Sequence, residues 1–464
     1  MPELDLKEGL LGNGPVRPGH VWSQIWDLTV PNTISSVAMC ATVVITTLSI
    51  SHEDIPAHLA AFGLGALVAN ILGLTIGNGL TSVLETLVSQ AFGAGNTELA
   101  SVQLNRARFV VTLAYIPCCI CLYKTDSILL LTQQSPEIAA LAADYARATI
   151  FGLLPFFLYG CSSSFLRSSQ RPAPPLLTNI VATFLHLAVT TYLVNVLKWG
   201  LWGAGLSVSI NNIVRFFMLE VYLWRNPELL GHEFSKAMFT KLTHFLGLGI
   251  PSFVLVLVEW SAFEFQAFFA GWVSTEGLAA HVASVNVIAI LFTIPNGVSQ
   301  SLSTLVGASL GEANPLLAWE FTIKGGLLML AIACTYASIV IVSTPRIAAI
   351  YSSDPSTLEI LTPLLKYVAV FAVGDAMNST QSGIIRGLGL QTRAAKYQTI
   401  AMYSIMLPWG YLAYPSYGVC GIWTGSIVGM FTSACLFFTI IKNADYTQCS
   451  RRAIAETRNV PSDL

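Results

Sequence analysis

The feature that most constrains this chain is a series of long apolar segments, most of them about as long as the roughly 20 residues that cross a bilayer as a helix. Twelve such segments follow one another, at residues 24–50, 57–90, 108–131, 139–165, 175–197, 200–224, 243–273, 278–307, 325–345, 360–385, 396–415 and 418–442. Composition agrees, because 54% of the 464 residues are hydrophobic and only 10% are charged, whereas soluble proteins carry about 25% charged residues. We therefore predict an all-α polytopic membrane protein with twelve transmembrane helices.

Charge and cysteine usage exclude other classes. The net charge is −2 and the longest basic run is Arg451-Arg452, so we predict no nucleic-acid partner. Nine cysteines are scattered along the chain, and even the closest set, Cys118, Cys119 and Cys121, lies in an apolar segment without a histidine beside it. We interpret these thiols as small core residues and predict neither a metal nor a cofactor.

The longest polar connection divides the chain into two sets of six segments. It runs from Arg225 to Lys241. We predict an N-terminal segment at 1–23, a first lobe at 24–224, a linker at 225–242, a second lobe at 243–442 and a C-terminal tail at 443–464, forming a monomer.

The basic residues predict the orientation of the chain in the membrane. An even number of crossings places both termini on one side, and 18 of the 23 lysines and arginines fall on the termini and the even-numbered loops. Because cytoplasmic loops carry the excess of positive charge, both termini should be cytoplasmic. Plasma membrane and vacuolar membrane remain equally open.

The two halves resemble each other. The stretch "GLTSVLETLVSQAFGAGN" at 79–96 matches "GVSQSLSTLVGASLGEAN" at 297–314 in seven of eighteen positions. The same offset of 218 carries Gly200 onto Gly418, and an offset of 219 carries Arg167 onto Arg386. Since six is even, the halves are predicted to be parallel repeats about an axis along the membrane normal, an arrangement that some secondary transporters use for alternating access.

Four motifs in order give a resemblance to a known family. They are "LGALVANILGLTIGNGLTSVLETLVSQAFGAGN" in the second span, "VEWSAFE" in the seventh, "IPNGVSQSLSTLVGASLGEANP" in the eighth and "GDAMNSTQSGIIRGLG" in the tenth. Nearly the whole chain resembles the multidrug and toxic compound extrusion family, and its eukaryotic branch more than its bacterial ones. The resemblance implies a twelve-helix, two-lobe exporter that exchanges a cytosolic organic solute for protons or sodium.

Two glutamates stand in the most apolar part of the second lobe. From Phe245 to Thr275 the only charged residues are Glu259 and Glu264. A charge at a helix centre costs about 2.5–3.5 kcal/mol on insertion scales, so each acid requires a reason. Their spacing of five separates them by roughly 140° around an ideal helix, so they do not share a face unless the helix bends near Pro251.

The acids are the predicted coupling groups. Burial disfavours an ionised carboxylate and a second acid nearby adds repulsion, so one group could exchange a proton near neutral pH and bind an organic cation when ionised. By resemblance, Glu259 matches the seventh-helix glutamate of eukaryotic relatives, and Asp375 matches the tenth-helix acid. We predict Glu259 as the coupling group, Glu264 as its neighbour or support and Asp375 as the third acid. The alternative for each is a hydrogen bond that merely joins two helices.

Further candidates for the substrate cavity are less specific. Asn70 and Asn286 are amides in apolar helices that either contact a solute or join helices. Trp260 offers a π-face to a cation or simply packs. Glu85 lies near the end of the second span, where it lines the cavity or stabilises the nearby loop. Pro31, in the first span, is a second predicted site of helix bending.

The predicted function is a proton-coupled antiporter of organic cations or other small metabolites and xenobiotics, embedded in the lipid bilayer. The alternatives are a sodium-coupled exporter, an organic-acid or flavonoid transporter of the same family, a lipid-linked precursor flippase and a channel. A flippase for a pyrophosphate carrier would need basic residues deep in the spans, whereas the deep charges recognised here are acidic. An enzyme is not expected, because neither of the two histidines well inside a span, His186 and His281, has an acid three or four residues away.

Overall fold

The computed structural model describes residues 18–51, 56–230, 236–352 and 354–458. Most of the predicted N-terminal segment, five residues of the predicted linker and the end of the predicted tail lie outside the described residues. All regular secondary structure in the described ranges is helical.

Eleven helical stretches of the described chain are long and apolar enough to cross a membrane. Ten of them are α1 (Val21–Ser51), α2 (Ala57–Gly93), α3 (Thr97–Tyr123), α4 (Pro136–Ser168), α5 (Ala173–Val196), α6 (Gly200–Arg225), α7 (Leu242–Val273), α8 (Glu276–Gly311), α9 (Pro315–Tyr351) and α10 (Pro355–Leu388). The last stretch, Gln391–Lys442, has 52 residues, far more than the roughly 20 that one crossing requires.

Gly418 interrupts this last stretch. Its φ of 55° and ψ of −140° are not helical, so the stretch contains two crossings, α11 (residues 391–417) and α12 (residues 418–442). With this division, each of the twelve predicted segments overlaps one of the twelve membrane-crossing helices of the described chain. The prediction of an all-α polytopic membrane protein is confirmed.

Several helices extend beyond their apolar cores. The third segment was predicted at 108–131, but α3 begins at Thr97 and ends at Tyr123, and Thr125–Leu131 forms a separate short helix. The ninth was predicted from 325, whereas α9 begins at Pro315. Hydropathy detects only the part of a helix that suits hydrocarbon, while the cap decides where the helix begins.

The caps occupy equivalent positions in the two halves. The side chain of Asn96 accepts a hydrogen bond from the Leu99 amide at 2.9 Å and starts α3, and Asn314 accepts from the Leu317 amide at 3.0 Å and starts α9. Both asparagines close the repeated stretch seen in the sequence. Gly200 and Gly418, at the starts of α6 and α12, also share a positive φ, of 54° and 55°.

The chain forms two compact units that do not follow a simple division of the sequence. Among the described residues, unit 1 contains those within 18–33, 93–95 and 254–458, and unit 2 contains those within 34–92 and 96–253. Each has its own apolar core, with Trp423 and Phe371 among the buried side chains of unit 1 and Phe157 and Phe245 among those of unit 2. The helix that follows α12, α13 (Tyr446–Arg458), packs in unit 1, where the Ser450 hydroxyl donates to the Leu310 carbonyl at 2.9 Å.

The helices α1 and α7 contribute to both units. The passage from one unit to the other falls after residue 33 in α1 and after residue 253 in α7. Pro31 and Pro251 each lie two residues before that passage, inside otherwise continuous helices. Proline lacks the amide that would donate to the preceding turn, so bending at these two positions stays our prediction.

Candidate functional site

Two acids of unit 1, Glu259 and Asp375, lie near each other. Glu259 is half-buried in α7, and Asp375 is buried in α10 with 4% of its surface exposed. Their carboxylates are near enough to interact electrostatically. Within the low dielectric of a helical core this interaction is stronger than it would be in water, so the two acids form one electrostatically coupled pair inside the membrane-spanning part of the chain.

A buried polar network joins Glu259 to α10 and α12. The Gln398 amide nitrogen lies 3.4 Å from a carboxylate oxygen of Glu259 and donates to it, while the Gln398 amide oxygen accepts from the Ser433 hydroxyl at 2.5 Å. The same hydroxyl lies 2.7 Å from the side-chain oxygen of Asn378, one turn after Asp375. Gln398, Ser433 and Asn378 are each at most 2% exposed. The network therefore fixes the side chain that approaches Glu259.

Local backbone structure places Gln398 in this network. A π-helical segment, Ile400–Met406, begins two residues after it. Single π-helical turns rotate the side chains that precede them relative to a regular helix, and they often occur at functional sites. The residue patterns of the sequence do not reveal such a turn.

Arg386 brings a positive charge within electrostatic reach of Glu259. Its guanidinium donates to the hydroxyls of Ser382 at 3.0 Å and Ser299 at 2.9 Å. It interacts electrostatically with Glu259. Held by two serines, Arg386 partly compensates the charge of Glu259.

The other predicted residues of unit 1 occupy different environments. Glu264 is half-buried on α7 and takes no part in the network around Gln398. Trp260 is 46% exposed, and Asn286 on α8 is exposed. Beside Trp260, the Ser261 hydroxyl lies 2.7 Å from the hydroxyl of Tyr403 on α11. The structure thus brings together Glu259 and Asp375 and leaves Glu264 separate from their network.

The remaining candidates belong to unit 2. Asn70 is half-buried and begins a π-helical segment, Asn70–Leu74, within α2. Glu85 is buried, with 6% of its surface exposed. The roles predicted for these two residues and for the acids stay predictions.

Three residues of the network escaped the sequence analysis. Asn378, Gln398 and Ser433 are neutral polar side chains in apolar helices, of which this chain has many. The internal repeat offered a signal. Gln398 lies 219 residues after Asn179 and Asn378 lies 219 residues after Tyr159, so both occupy positions that are polar in the first half as well. Within the described ranges, no group of three or more histidines, cysteines or acids has a geometry that could hold a metal ion.

Two sets of membrane-crossing helices with acids held inside their spans are typical of transporters. The MatE family model matches residues 31–192 and 251–412, once in each half. The chain belongs to this family. The resemblance seen in the sequence is thereby confirmed, and so is the duplication.

Individual relatives agree with this assignment. Multidrug and toxin extrusion protein 2 of Oryctolagus cuniculus is 28% identical over 406 residues, which cover 85% of this chain and 67% of the relative. Multidrug and toxin extrusion protein 1 of Xenopus tropicalis is 27% identical over 448 residues, covering 94% and 77%. These relatives are transporters rather than enzymes.

Solved structures share the fold. The crystal structure of the eukaryotic MATE transporter AtDTX14 superposes with a TM-score of 0.89 at 21% identity, covering 94% of this chain and 99% of that one. A mutant of the Vibrio cholerae MATE transporter VcmN gives a TM-score of 0.85 at 16% identity, covering 93% and 99%. Its long apolar helices and its family membership make the chain an integral, multi-pass membrane protein.

Proposed function

We propose that this chain is a secondary active antiporter that exports organic cations, or other small metabolites and xenobiotics, in exchange for protons by alternating access. The observation that carries the proposal is the proximity of Glu259 and Asp375 inside unit 1. The names of the curated relatives, multidrug and toxin extrusion proteins, support the same class of substrate.

The chemistry of exchange follows from the two carboxylates. Two ionised acids close together in a core repel each other, and either a proton or an organic cation relieves that repulsion. Because the same charge satisfies the site in both cases, proton and solute compete for it. Competition of this kind makes the exchange obligatory when the site opens to one side of the membrane at a time.

Gln398 gives Glu259 a fixed orientation in both states. Its amide donates to the Glu259 carboxylate, and its carbonyl is occupied by Ser433. An amide donor can keep one carboxyl oxygen as its acceptor whether or not the other oxygen carries a proton. Glu259 is therefore the coupling group in this proposal, with Asp375 as the second acid and Glu264 as a nearby support.

The proposal extends to the setting of the transporter. It acts as a monomer in a lipid bilayer, with both termini in the cytoplasm, at the plasma membrane or the vacuolar membrane. It takes no cofactor and is driven by the proton gradient, with sodium as the alternative coupling ion. The excess of basic residues on one side of the chain supports this orientation.

Counterflow in reconstituted vesicles tests the proposal. Vesicles loaded with a fluorescent organic cation should release it when an inward proton gradient is imposed, and Glu259→Gln should abolish release while protein yield is unchanged. Glu320→Gln is the matched control, because Glu320 lies on α9 in an ion pair with Lys324 at 2.5 Å. It should release the cation as the wild type does.

The same vesicles distinguish the alternatives. Release that follows a sodium gradient, but not a proton gradient, would replace the proton with sodium as the coupling ion. Release of an organic acid or flavonoid in place of the cation would change the substrate class. Normal exchange by Glu259→Gln would disprove the assigned role of Glu259.

A further inference from the structure

A buried arginine of unit 2 has no counter-charge among the described residues. Arg215 lies in α6, ten residues before the helix ends at Arg225, and only 3% of its surface is exposed. Its Nε and one terminal nitrogen, Nη2, are buried and have no hydrogen-bond partner among the described residues. Counting basic residues had grouped Arg215 with the cytoplasmic loops, and the structure corrects this by placing it well inside a span.

The neighbouring acid on α6 is already used. Glu220 pairs with Arg108 at 2.6 Å, and the Ser162 hydroxyl donates to the same carboxylate oxygen. Arg215 forms no ion pair with a carboxylate in the described part of the chain. An arginine stays protonated in proteins, and an isolated buried charge is strongly unfavourable. The structure therefore contains a cation that requires an anion.

The surroundings of Arg215 are polar and closed. Tyr159 interacts electrostatically with it and donates from its hydroxyl to the side-chain oxygen of Asn179 at 2.9 Å. Asn179 in turn donates to the Ser35 hydroxyl at 2.6 Å. One turn before Arg215, the buried side-chain oxygen of Asn211 also has no partner among the described residues. Turning that amide by 180° would direct its nitrogen to the same place as a donor.

The repeat gives this cluster a counterpart in unit 1. Offsets of 218 to 219 carry Tyr159 onto Asn378, Asn179 onto Gln398 and Arg215 onto Ser433. The three residues reached in this way are those that contact one another beside Glu259. The three equivalent positions thus lie beside an acid, Glu259, in unit 1 and include a base, Arg215, in unit 2.

We propose that unit 2 binds a small monovalent anion against the Nε and Nη2 atoms of Arg215, between Tyr159 and Asn211. Size selects the ligand, because Tyr159, Asn211 and Arg215 are each 3% exposed and Asn179 is fully buried. A closed cluster of this kind accepts a halide such as chloride, or the terminal carboxylate of a very small solute, and excludes a bulky anion. The site is independent of the proton coupling proposed for Glu259.

Thermal unfolding of the purified full-length protein tests the site. Unfolding is followed in chloride, bromide, acetate or gluconate at constant ionic strength, with gluconate as the anion too large to enter. A ligand that binds only the folded state raises the unfolding temperature, and we expect a rise of about 2–4 °C in the small anion. Chloride and bromide acting together identify a halide site, whereas acetate acting alone identifies a carboxylate site.

Three variants locate the effect. Arg215→Met should lose the response to the anion, and Arg215→Lys should keep it with about tenfold weaker affinity, because a lysine lacks the planar set of donors. Lys324→Met, which removes a half-buried, paired cation from unit 1, should respond as the wild type does.

Bromide soaked into crystals of the wild type provides a second readout that requires no variant, so a poorly folded Arg215→Met cannot leave the question open. We expect an anomalous peak beside the Arg215 guanidinium for a halide site and none for a carboxylate site, which the acetate response then identifies. Equal unfolding temperatures of the wild type in all four anions would overturn the proposal. A response that survives intact in Arg215→Met would also overturn it.

Discussion

Substituting Gly383 by alanine tests whether the close approach of α10 to α8 positions Asp375 relative to Glu259. A Cβ atom at Gly383 would lie 2.2 Å from the Ser299 carbonyl oxygen and 2.7 Å from its carbonyl carbon. Both atoms belong to the backbone, so a side-chain rotation cannot remove the clash. The two helices would have to separate by roughly 1 Å, an overpacking that costs about 1–3 kcal/mol.

Part of this cost is offset because alanine favours a helix over glycine by about 0.5–1 kcal/mol. The net loss of about 1–2 kcal/mol should lower the unfolding temperature by roughly 2–8 °C. Transport should fall further than stability, because α10 also carries Asp375, eight residues before Gly383. Moving α10 away from its neighbours changes the distance between Asp375 and Glu259.

The measurements are the unfolding temperature of the purified protein and cation release from vesicles. Gly326→Ala, on α9, is the matched control, because a Cβ there meets no atom within 4 Å. It should leave transport intact and leave the unfolding temperature equal or slightly higher. If Gly383→Ala unfolds and transports like Gly326→Ala, the close contact of α8 and α10 does not position the acids.

Three further perturbations have outcomes that the structure specifies. Glu220→Met should destabilise unit 2 by about 1–3 kcal/mol, because it leaves the Arg108 guanidinium without its carboxylate, and the double variant with Arg108→Met should recover part of the loss in denaturation assays. Gly418→Ala should cost about 1–3 kcal/mol in the same assays, since a φ of 55° with a ψ of −140° strains any residue with a side chain; an unchanged stability would argue against this backbone conformation. Hydrogen bonds, first from the Ser356 hydroxyl and then from the next residue, lower the pKa of Asp354, outside the spans, to about 2. The stability difference between wild type and Asp354→Ala should therefore be constant above about pH 4 and shrink as the pH falls towards about 2, where the native carboxylate becomes protonated.

The sequence predicted the helices because lipid imposes a simple length requirement on apolar segments. It failed at ends such as Thr97, where the helix is set by the Asn96 cap in a polar stretch that hydropathy does not register. The division between α11 and α12 was predicted from the positions of the apolar segments, and the backbone of Gly418 shows its physical basis.

The candidate site was only partly predictable. A lone acid in an apolar helix, such as Glu259 or Asp375, is conspicuous because its burial is costly. Gln398 is not conspicuous, since an amide in a span either contacts a solute or joins helices, and the sequence does not distinguish the two roles. Arg215 was counted with the cytoplasmic loops although the predicted span, 200–224, ends within one residue of the end of α6, because a count of charges by side ignores how deep each residue lies in its span.

The passage of α1 and α7 between the units has a consequence for dissecting the protein. Dividing the chain within residues 231–235 would separate the two sequence repeats. The amino-terminal fragment would nevertheless lack Phe245, which is fully buried in the core of unit 2. The carboxy-terminal fragment would lack Val21 and Ile25, which are fully buried in the core of unit 1. Neither fragment contains a complete core, so the gene can be split there only if both pieces are co-expressed and reassociate in one membrane.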